Sequence, residues 1–419
     1  MRIRAQASFF EATLLIAAAY MAGVDANRSP NLGLNSSNMR LDGIFFGAIP
    51  AFKEPSYPNT PFQINAKLPR PISIMGDYVE LEKNAEGLRK IDWVSFTHAF
   101  EDTPESTRKA RLPNRSNAEP WSTERFSFCG EINRVASKMA EINRKNVTVW
   151  LRFGHEVSSH LGFSQMNGQW YNWGEKPSRE TYLFYSRTNG ELYPLPYGGQ
   201  PQTHANMMWA PNARFGSSID SVHGGYTQYW PGGEYVDIAV VSIKILALSY
   251  YHFGGIRNRS YGAFIGTRRR NIVPKENQAL DKLQEFAKVT CRKFQLYGSE
   301  GEGKPIVVAE TSAPYTRLIT TKQPERGGAS EREIKLTWLK QLFSPAMKRS
   351  VPDLKAISWV VRIGIRVLPS SLTLLDKIQT FDSGRNDAKS EDFRLLMGNA
   401  GVAREAYDYM SQRLSTEDE

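Results

Sequence analysis

Two glutamates carry the chemistry this sequence could perform. Glu156 closes Val147-Thr148-Val149-Trp150-Leu151-Arg152-Phe153-Gly154-His155-Glu156, an apolar, β-branched run that ends in ionisable side chains. Glu310 closes a second such run, Lys304-Pro305-Ile306-Val307-Val308-Ala309-Glu310. Strands that pack a core along their length and carry charge at their C-terminal ends are the pattern of a parallel α/β barrel, whose reactive groups gather on one rim. Two carboxyls on one rim can divide the cleavage of an acetal. One, kept protonated by burial, gives its proton to the leaving oxygen; the other, ionised, attacks the carbon or activates water. His155 and the aromatic cluster Trp170, Tyr171 and Trp173 offer Glu156 the apolar neighbourhood that raises a carboxyl pKa. The plainer reading, a core strand whose terminal Glu caps a helix or faces solvent, stays open for either run alone. A metal site is not expected, because His155 and His160 have no third ligand at useful spacing, and no cofactor motif accompanies them.

The elements that must position these residues follow an alternating rhythm. Strand-like runs occur at Gly43–Pro50, Pro71–Asp77, Val147–Phe153, Met207–Asn212, Tyr235–Ser242, Ile306–Ala309 and Asp353–Trp359. Apolar residues Ile132, Val135, Ala136, Met139, Ala140 and Ile142 recur at near-helical spacing, which predicts a helix over Glu131–Arg144 feeding the first Glu-bearing strand. A second helix is predicted from about Glu276 to Phe294. Seven strands with helix-length gaps predict an α/β fold, a (β/α)8 barrel whose eighth strand is degraded or divergent in the polar stretch of about 93–120. The runner-up, an open doubly wound sheet, lacks a Gly-rich phosphate loop after any strand.

Hydrophobic residues at 41% and charged residues at 23% describe a globular chain with an ample core. The net charge of +10 is spread out, its densest run being Arg268-Arg269-Arg270, and no nucleic-acid motif goes with it, so no nucleic-acid partner is expected. Arg2 and Arg4, the apolar stretch Ala12–Val24 and then Val24-Asp25-Ala26 have the layout of a secretory signal. Residues 1–26 are therefore expected to be a signal peptide, 27–40 a flexible lead-in and 41–419 a single domain. A secreted, extracellular location and no membrane span follow. Asn27-Arg28-Ser29, Asn35-Ser36-Ser37, Asn114-Arg115-Ser116, Asn146-Val147-Thr148 and Asn258-Arg259-Ser260 match the glycosylation pattern. Cys129 and Cys291 form either one disulfide or two free thiols.

Several segments together resemble glycoside hydrolase family 26, the endo-β-1,4-mannanase family of (β/α)8 retaining glycosidases. They are Arg152 to Glu156; Asn167-Gly168-Gln169-Trp170-Tyr171-Asn172-Trp173-Gly174; Trp209-Ala210-Pro211-Asn212; Tyr229-Trp230-Pro231-Gly232; Tyr251-His252-Phe253-Gly254-Gly255; and Lys304 to Glu310. The resemblance implies Glu156 as acid/base and Glu310 as nucleophile, with His155 bonding at the catalytic subsite and Tyr251 holding the nucleophile in line. It implies sugar-stacking walls at Trp170, Trp173 and Trp359, with Tyr171, Trp209 and Asn212 nearby, and a β-mannan polysaccharide as substrate. Trp209 and Trp359 also admit a plain role as core aromatics. A β-glucanase or β-xylanase on the same fold, or a carbohydrate-binding pseudoenzyme, are the alternatives. Three stretches interrupt the family pattern: 157–165, 243–249 and 360–381. Family-like sequence resumes on both sides of each, which marks them as candidate retained introns or gene-model errors.

Overall fold

The chain enters its fold through a tight hairpin. Strands β1 (Arg40–Leu41) and β2 (Ile44–Pro50) pair antiparallel across Asp42-Gly43. Both turn residues have positive φ, 46° and 78°, the geometry of a two-residue primed turn that Asp-Gly accepts readily. The computed structural model describes residues 32–50, 59–76, 139–140, 142–143, 147–152, 205–209, 236, 238–242, 271–293, 305–318, 321–324, 328–361, 363–366 and 389–415.

From β2 the strands run parallel: β3 (Ile74–Met75), β4 (Val149–Arg152), β5 (Ala205–Trp209), β6 (Ile238–Ser242), β7 (Ile306–Thr311) and β9 (Leu354–Val361). The sheet order is β1-β2-β9-β7-β6-β5-β4, with β3 on the other side of β2. Chain neighbours pair at β2·β3, β4·β5, β5·β6, β6·β7 and β7·β9, and the first parallel strand pairs with the last, β2 with β9. That is the cyclic order of a parallel barrel. Among the described residues the ring stays open at one place, between β3 and β4. The stretch of about 93–120, where a divergent strand was expected, falls in that interval and outside the described residues.

Helices cover the sheet because their apolar residues recur at helical spacing. In α2 (Gln278–Lys293), which follows the short α1 (Pro61–Asn65), Ala279, Leu283 and Phe286 are buried. In α3 (Glu331–Leu342) they are Ile334, Trp338 and Leu342, and Ser330 with Glu333 forms a capping box at its start. Next come α4 (Pro345–Ser350) and α5 (Ala400–Gln412), which buries Val402, Ala406 and Met410 and is capped by Asn399. Met139, Ala140, Ile142 and Asn143 are helical just before β4, as the spacing predicts. Among the described residues no helix is long and apolar enough to cross a membrane.

A second, three-stranded antiparallel sheet, β10 (Ile363–Arg366), β11 (Lys389–Asp392) and β8 (Tyr315–Leu318), stands beside the end of β7. It is tied to α3 by buried charges. Lys335, with no solvent exposure, donates from Nζ to Glu331 Oε1 at 2.6 Å and to the Arg394 carbonyl at 2.6 Å, with Asp392 Oδ1 at 3.6 Å. Arg317 reaches Glu331 Oε2 at 2.8 Å, and Arg394 reaches Asp392 Oδ2 at 2.7 Å. The far end of the chain returns to the entry hairpin. The Gly43 amide donates to Ser415 Oγ at 2.7 Å, the Ser415 amide to the Arg40 carbonyl at 3.0 Å, and Leu414 bridges Leu41.

Three expectations change. The lead-in is anchored from Leu32 onward: the Trp150 indole donates to the Leu32 carbonyl at 3.0 Å, and Met39 is fully buried. The final parallel strand continues two residues past Trp359, because Val360 and Val361 find register partners in Ile49 and Pro50 of β2. Within 360–381, one of the stretches that interrupt the family pattern, Ile363–Arg366 pairs residue for residue with β11. The stretches 157–165, 243–249 and 367–388 lie outside the described residues.

Gly47 shows how tightly the first strand is held. A Cβ there would lie 2.6 Å from Ser358 Oγ and 2.9 Å from the Ile74 carbonyl oxygen. The backbone oxygen cannot step aside, so Gly47→Ala is expected to cost about 1–3 kcal/mol. A denaturation midpoint equal to the wild type would refute this close packing of β2 between β3 and β9.

Candidate active site at the strand ends

The site begins with a question of parity. Successive side chains of a strand point to opposite faces. On β7, Val307 packs with Met208 and Ala356, and with Phe45, Ile74 and Trp150, on one face of the sheet. Ile306 and Val308 belong to the main core with Phe286, Ile334, Trp338 and Leu339 of the helices. Strict alternation would therefore send Glu310 toward the helices, alongside Ile306 and Val308. The strand breaks alternation there. Against β6, Val308 faces Val241 while Glu310, two residues on, faces the very next residue, Ser242. Against β9, the three steps from Val308 to Thr311 span only the two from Ile357 to Trp359. One extra residue in β7 at Ala309-Glu310 is a bulge relative to both neighbours. Bulges at barrel rims re-aim side chains, and this one turns Glu310 to the face of Val307.

On β4, Arg152 shares the face of Trp150 by the same alternation. Its guanidinium meets Glu310 in an ion pair through Oε1. In a flat sheet strands spaced by about 4.8 Å would put β4 and β7, three strands apart, roughly 14 Å from each other, with side chains standing perpendicular to the sheet. Contact between them requires the sheet to curl, so that the C-terminal ends of β4 and β7 face each other across its hollow. Glu310 has no solvent exposure and Arg152 little. A carboxylate so buried is costly alone and is retained because it is paired.

The shell behind Glu310 is bonded as well. Thr311 Oγ1 accepts from the Trp338 indole at 3.0 Å. The Phe393 carbonyl accepts from Ser312 Oγ at 2.8 Å and from the Trp359 indole at 2.9 Å. Phe393 lies between Asp392 and Arg394, so the buried charges of the small sheet hold the acceptor that holds the end of β7.

No family profile matches the chain, and no curated protein matches it significantly. Among solved structures, the catalytic domain of the GH26 endo-β-1,4-mannanase from Bacillus sp. JAMB-750 is similar over 94% of this chain and 95% of its own. Its identity is 13% and its TM-score 0.48. The Bacillus subtilis mannanase BCman is similar over 80% of this chain and 87% of its own, at 12% identity and a TM-score of 0.41. Both scores lie below 0.5, so the architecture rests on the strand pairings.

Of the expected site residues, the structure describes Glu310, Trp209 and Trp359. Glu156, His155, Trp170, Tyr171, Trp173, Asn212 and Tyr251 lie outside the described residues. Trp359, expected as a sugar wall, and Trp209, expected near one, are both buried. Both have helix-side parity, Trp209 opposite to Met208 and Trp359 shared with Ile357, and both are sealed in the main core. Among the described residues no group of three or more His, Cys, Asp or Glu could hold a metal ion. The residue that sequence reasoning passed over is Arg152. Its signal was visible, an arginine inside an apolar run four positions before Glu156, where an unpaired cation would be expensive.

Proposed function

We propose that the chain is a secreted retaining glycoside hydrolase on a (β/α)8 barrel, cutting β-1,4-mannosidic bonds in mannan-type polysaccharides. The observation that supports it is the buried Glu310, turned by a bulge onto the hollow side of the parallel sheet and met there by the terminal arginine of β4. Glu156 follows Arg152 by four residues in the sequence, which supports one rim for both carboxylates. In the first half-reaction Glu310 attacks the anomeric carbon while Glu156 protonates the departing oxygen. In the second, water attacks that carbon, Glu156 takes its proton, and Glu310 leaves as the carboxylate.

The test is the release of new reducing ends from galactomannan, glucan and xylan by the purified protein. Release from galactomannan above the other two is the expected result. Preference for glucan or xylan would move the substrate within the same chemistry. Cleavage of none would end the hydrolase reading, and binding without cleavage would replace it with a sugar-binding protein.

A further inference from the structure

We infer that Thr311 and Ser312 are positioning residues: their hydroxyls clamp the end of β7 and hold the Glu310 carboxylate on the hollow side of the sheet. As a statement about turnover this rests on the hydrolase reading. It is carried by where the two hydroxyls bond and by the state of the strand ladder at that point.

A bulge leaves its extra residue unpaired and disrupts the ladder around it. In β7 the disruption falls on both flanks, against Val241 and Ser242 of β6 and against the stretch from Ile357 to Trp359 of β9. Glu310 therefore sits where the neighbouring strands hold β7 least. The two residues that follow it are held by other means. Thr311 Oγ1 accepts from the Trp338 indole of α3 at 3.0 Å, and Ser312 Oγ donates to the Phe393 carbonyl, just past β11, at 2.8 Å. Neither anchor belongs to the parallel sheet, and neither Thr311 nor Ser312 has any solvent exposure.

Anchoring two successive residues does more than anchoring one. A single bond lets the strand end turn about it, whereas two bonds to separate elements fix its position and its twist together. The Phe393 carbonyl also accepts from the Trp359 indole at 2.9 Å, and Trp359 is the register partner of Thr311. One acceptor thus joins β7 to β9 where their ladder is irregular. Side-chain hydroxyls suit this task, because they hold the strand without drawing its backbone into a regular ladder. Hydroxyls that did no more than satisfy buried partners would cost stability when removed. A clamp costs turnover as well.

The experiment measures kcat and KM on galactomannan, at a temperature well below every thermal midpoint. The proteins are wild type, Thr311→Val, Thr311→Ser, Ser312→Ala and the double variant Thr311→Val with Ser312→Ala. Each hydroxyl removed is expected to lower kcat about tenfold, and both together on the order of 10²-fold, since a nucleophile displaced by about 1 Å slows the chemistry. KM stays nearly unchanged, because the other contacts to substrate remain. Thr311→Ser keeps its hydroxyl and is expected to keep its turnover. Hydrogen exchange at the amides of 308–312 is expected to quicken about fivefold for each hydroxyl lost. Wild-type kcat in the double variant overturns the inference, as does a loss carried by KM, or a Thr311→Ser variant as slow as Thr311→Val. If the double variant fails to fold, the single variants decide. A loss in kcat of about tenfold in both supports the clamp, and undiminished kcat in either overturns it. A wild type inactive on galactomannan, glucan and xylan removes the hydrolase reading and leaves the clamp to hydrogen exchange. Faster exchange at 308–312 in both single variants then supports it, and unchanged exchange overturns it. An active wild type with indifferent Thr311 and Ser312 removes only the inference.

Discussion

Replacing Glu310 by Gln lowers turnover of β-mannan by on the order of 10³-fold, whichever leaving group the substrate carries. Gln keeps the volume and one oxygen of the buried side chain but cannot form the glycosyl ester. Glu156→Gln is expected to behave differently, because its proton matters only when the departing oxygen needs it. The variant should fail on polysaccharide, yet form the glycosyl-enzyme from an aryl mannoside with an acidic phenol at a rate near the wild type. Comparing the two substrates in the two variants separates nucleophile from acid. If Glu310→Gln keeps a tenth or more of wild-type turnover on mannan, the assignment fails. The thermal midpoint belongs beside the rates, since Glu310 is fully buried against Arg152 and the substitution removes half of an ion pair.

The largest effect on stability is expected far from any sugar, at Asp392. Its carboxylate takes a fork from Arg394, lies 3.6 Å from the buried Lys335 ammonium and 3.8 Å from Arg317. Glu331 is the second carboxylate among these three cations. Asp392→Asn keeps the shape and removes the charge, leaving Lys335 without solvent and with one carboxylate beside it. A loss of about 3–5 kcal/mol is expected at neutral pH, from denaturant titration. Lys335→Met is expected to cost less, because Arg317 and Arg394 still neutralise both acids. Equal losses would refute that ranking. Burial alone would push the Asp392 carboxyl up, but the bond from Arg394 and the charges of Lys335 and Arg394 outweigh it and hold it below the usual carboxylate range. A depressed folded-state pKa contributes stability that is present above the unfolded value, near 4, and lost as pH falls through the folded one. The wild type should therefore weaken below about pH 4, and the Asn variant should lack that part of the acid limb.

Much of this arrangement is legible in the chain. Each of the seven predicted strand runs overlaps a strand, because buried parallel strands read as unbroken Val, Ile and Leu. Glu310 was legible as the end of such a run. The face it points to was not, since the bulge at Ala309-Glu310 depends on pairing with β6 and β9 and leaves no mark in one strand's sequence. The burial of Trp209 and Trp359 in the main core was open in the sequence for the same reason. A tryptophan near the end of a strand serves either face, and parity against Met208 and Ile357 decides it. The small sheet was missed because β8 and β11 are four residues each, and β11, Lys389-Ser390-Glu391-Asp392, is wholly polar. Its charges are buried only by partners that come from elsewhere in the chain. The Asp42-Gly43 turn, like Arg152, was a short signal that could have been read and was not.

The latch between the entry hairpin and Ser415 has a consequence for the order in which the protein is made. Gly43 and Ser415 are separated by 372 positions, and β2 pairs with β9 from the same distant part of the chain. The first parallel strand thus leaves the ribosome long before its neighbour on that side exists. Until β9 has emerged, β2 offers an uncovered parallel edge on that side, a surface prone to wrong partners during synthesis. β1, folded back across Asp42-Gly43, and β3 cover only the opposite side of β2, so the edge that waits for β9 is the one left open in that interval.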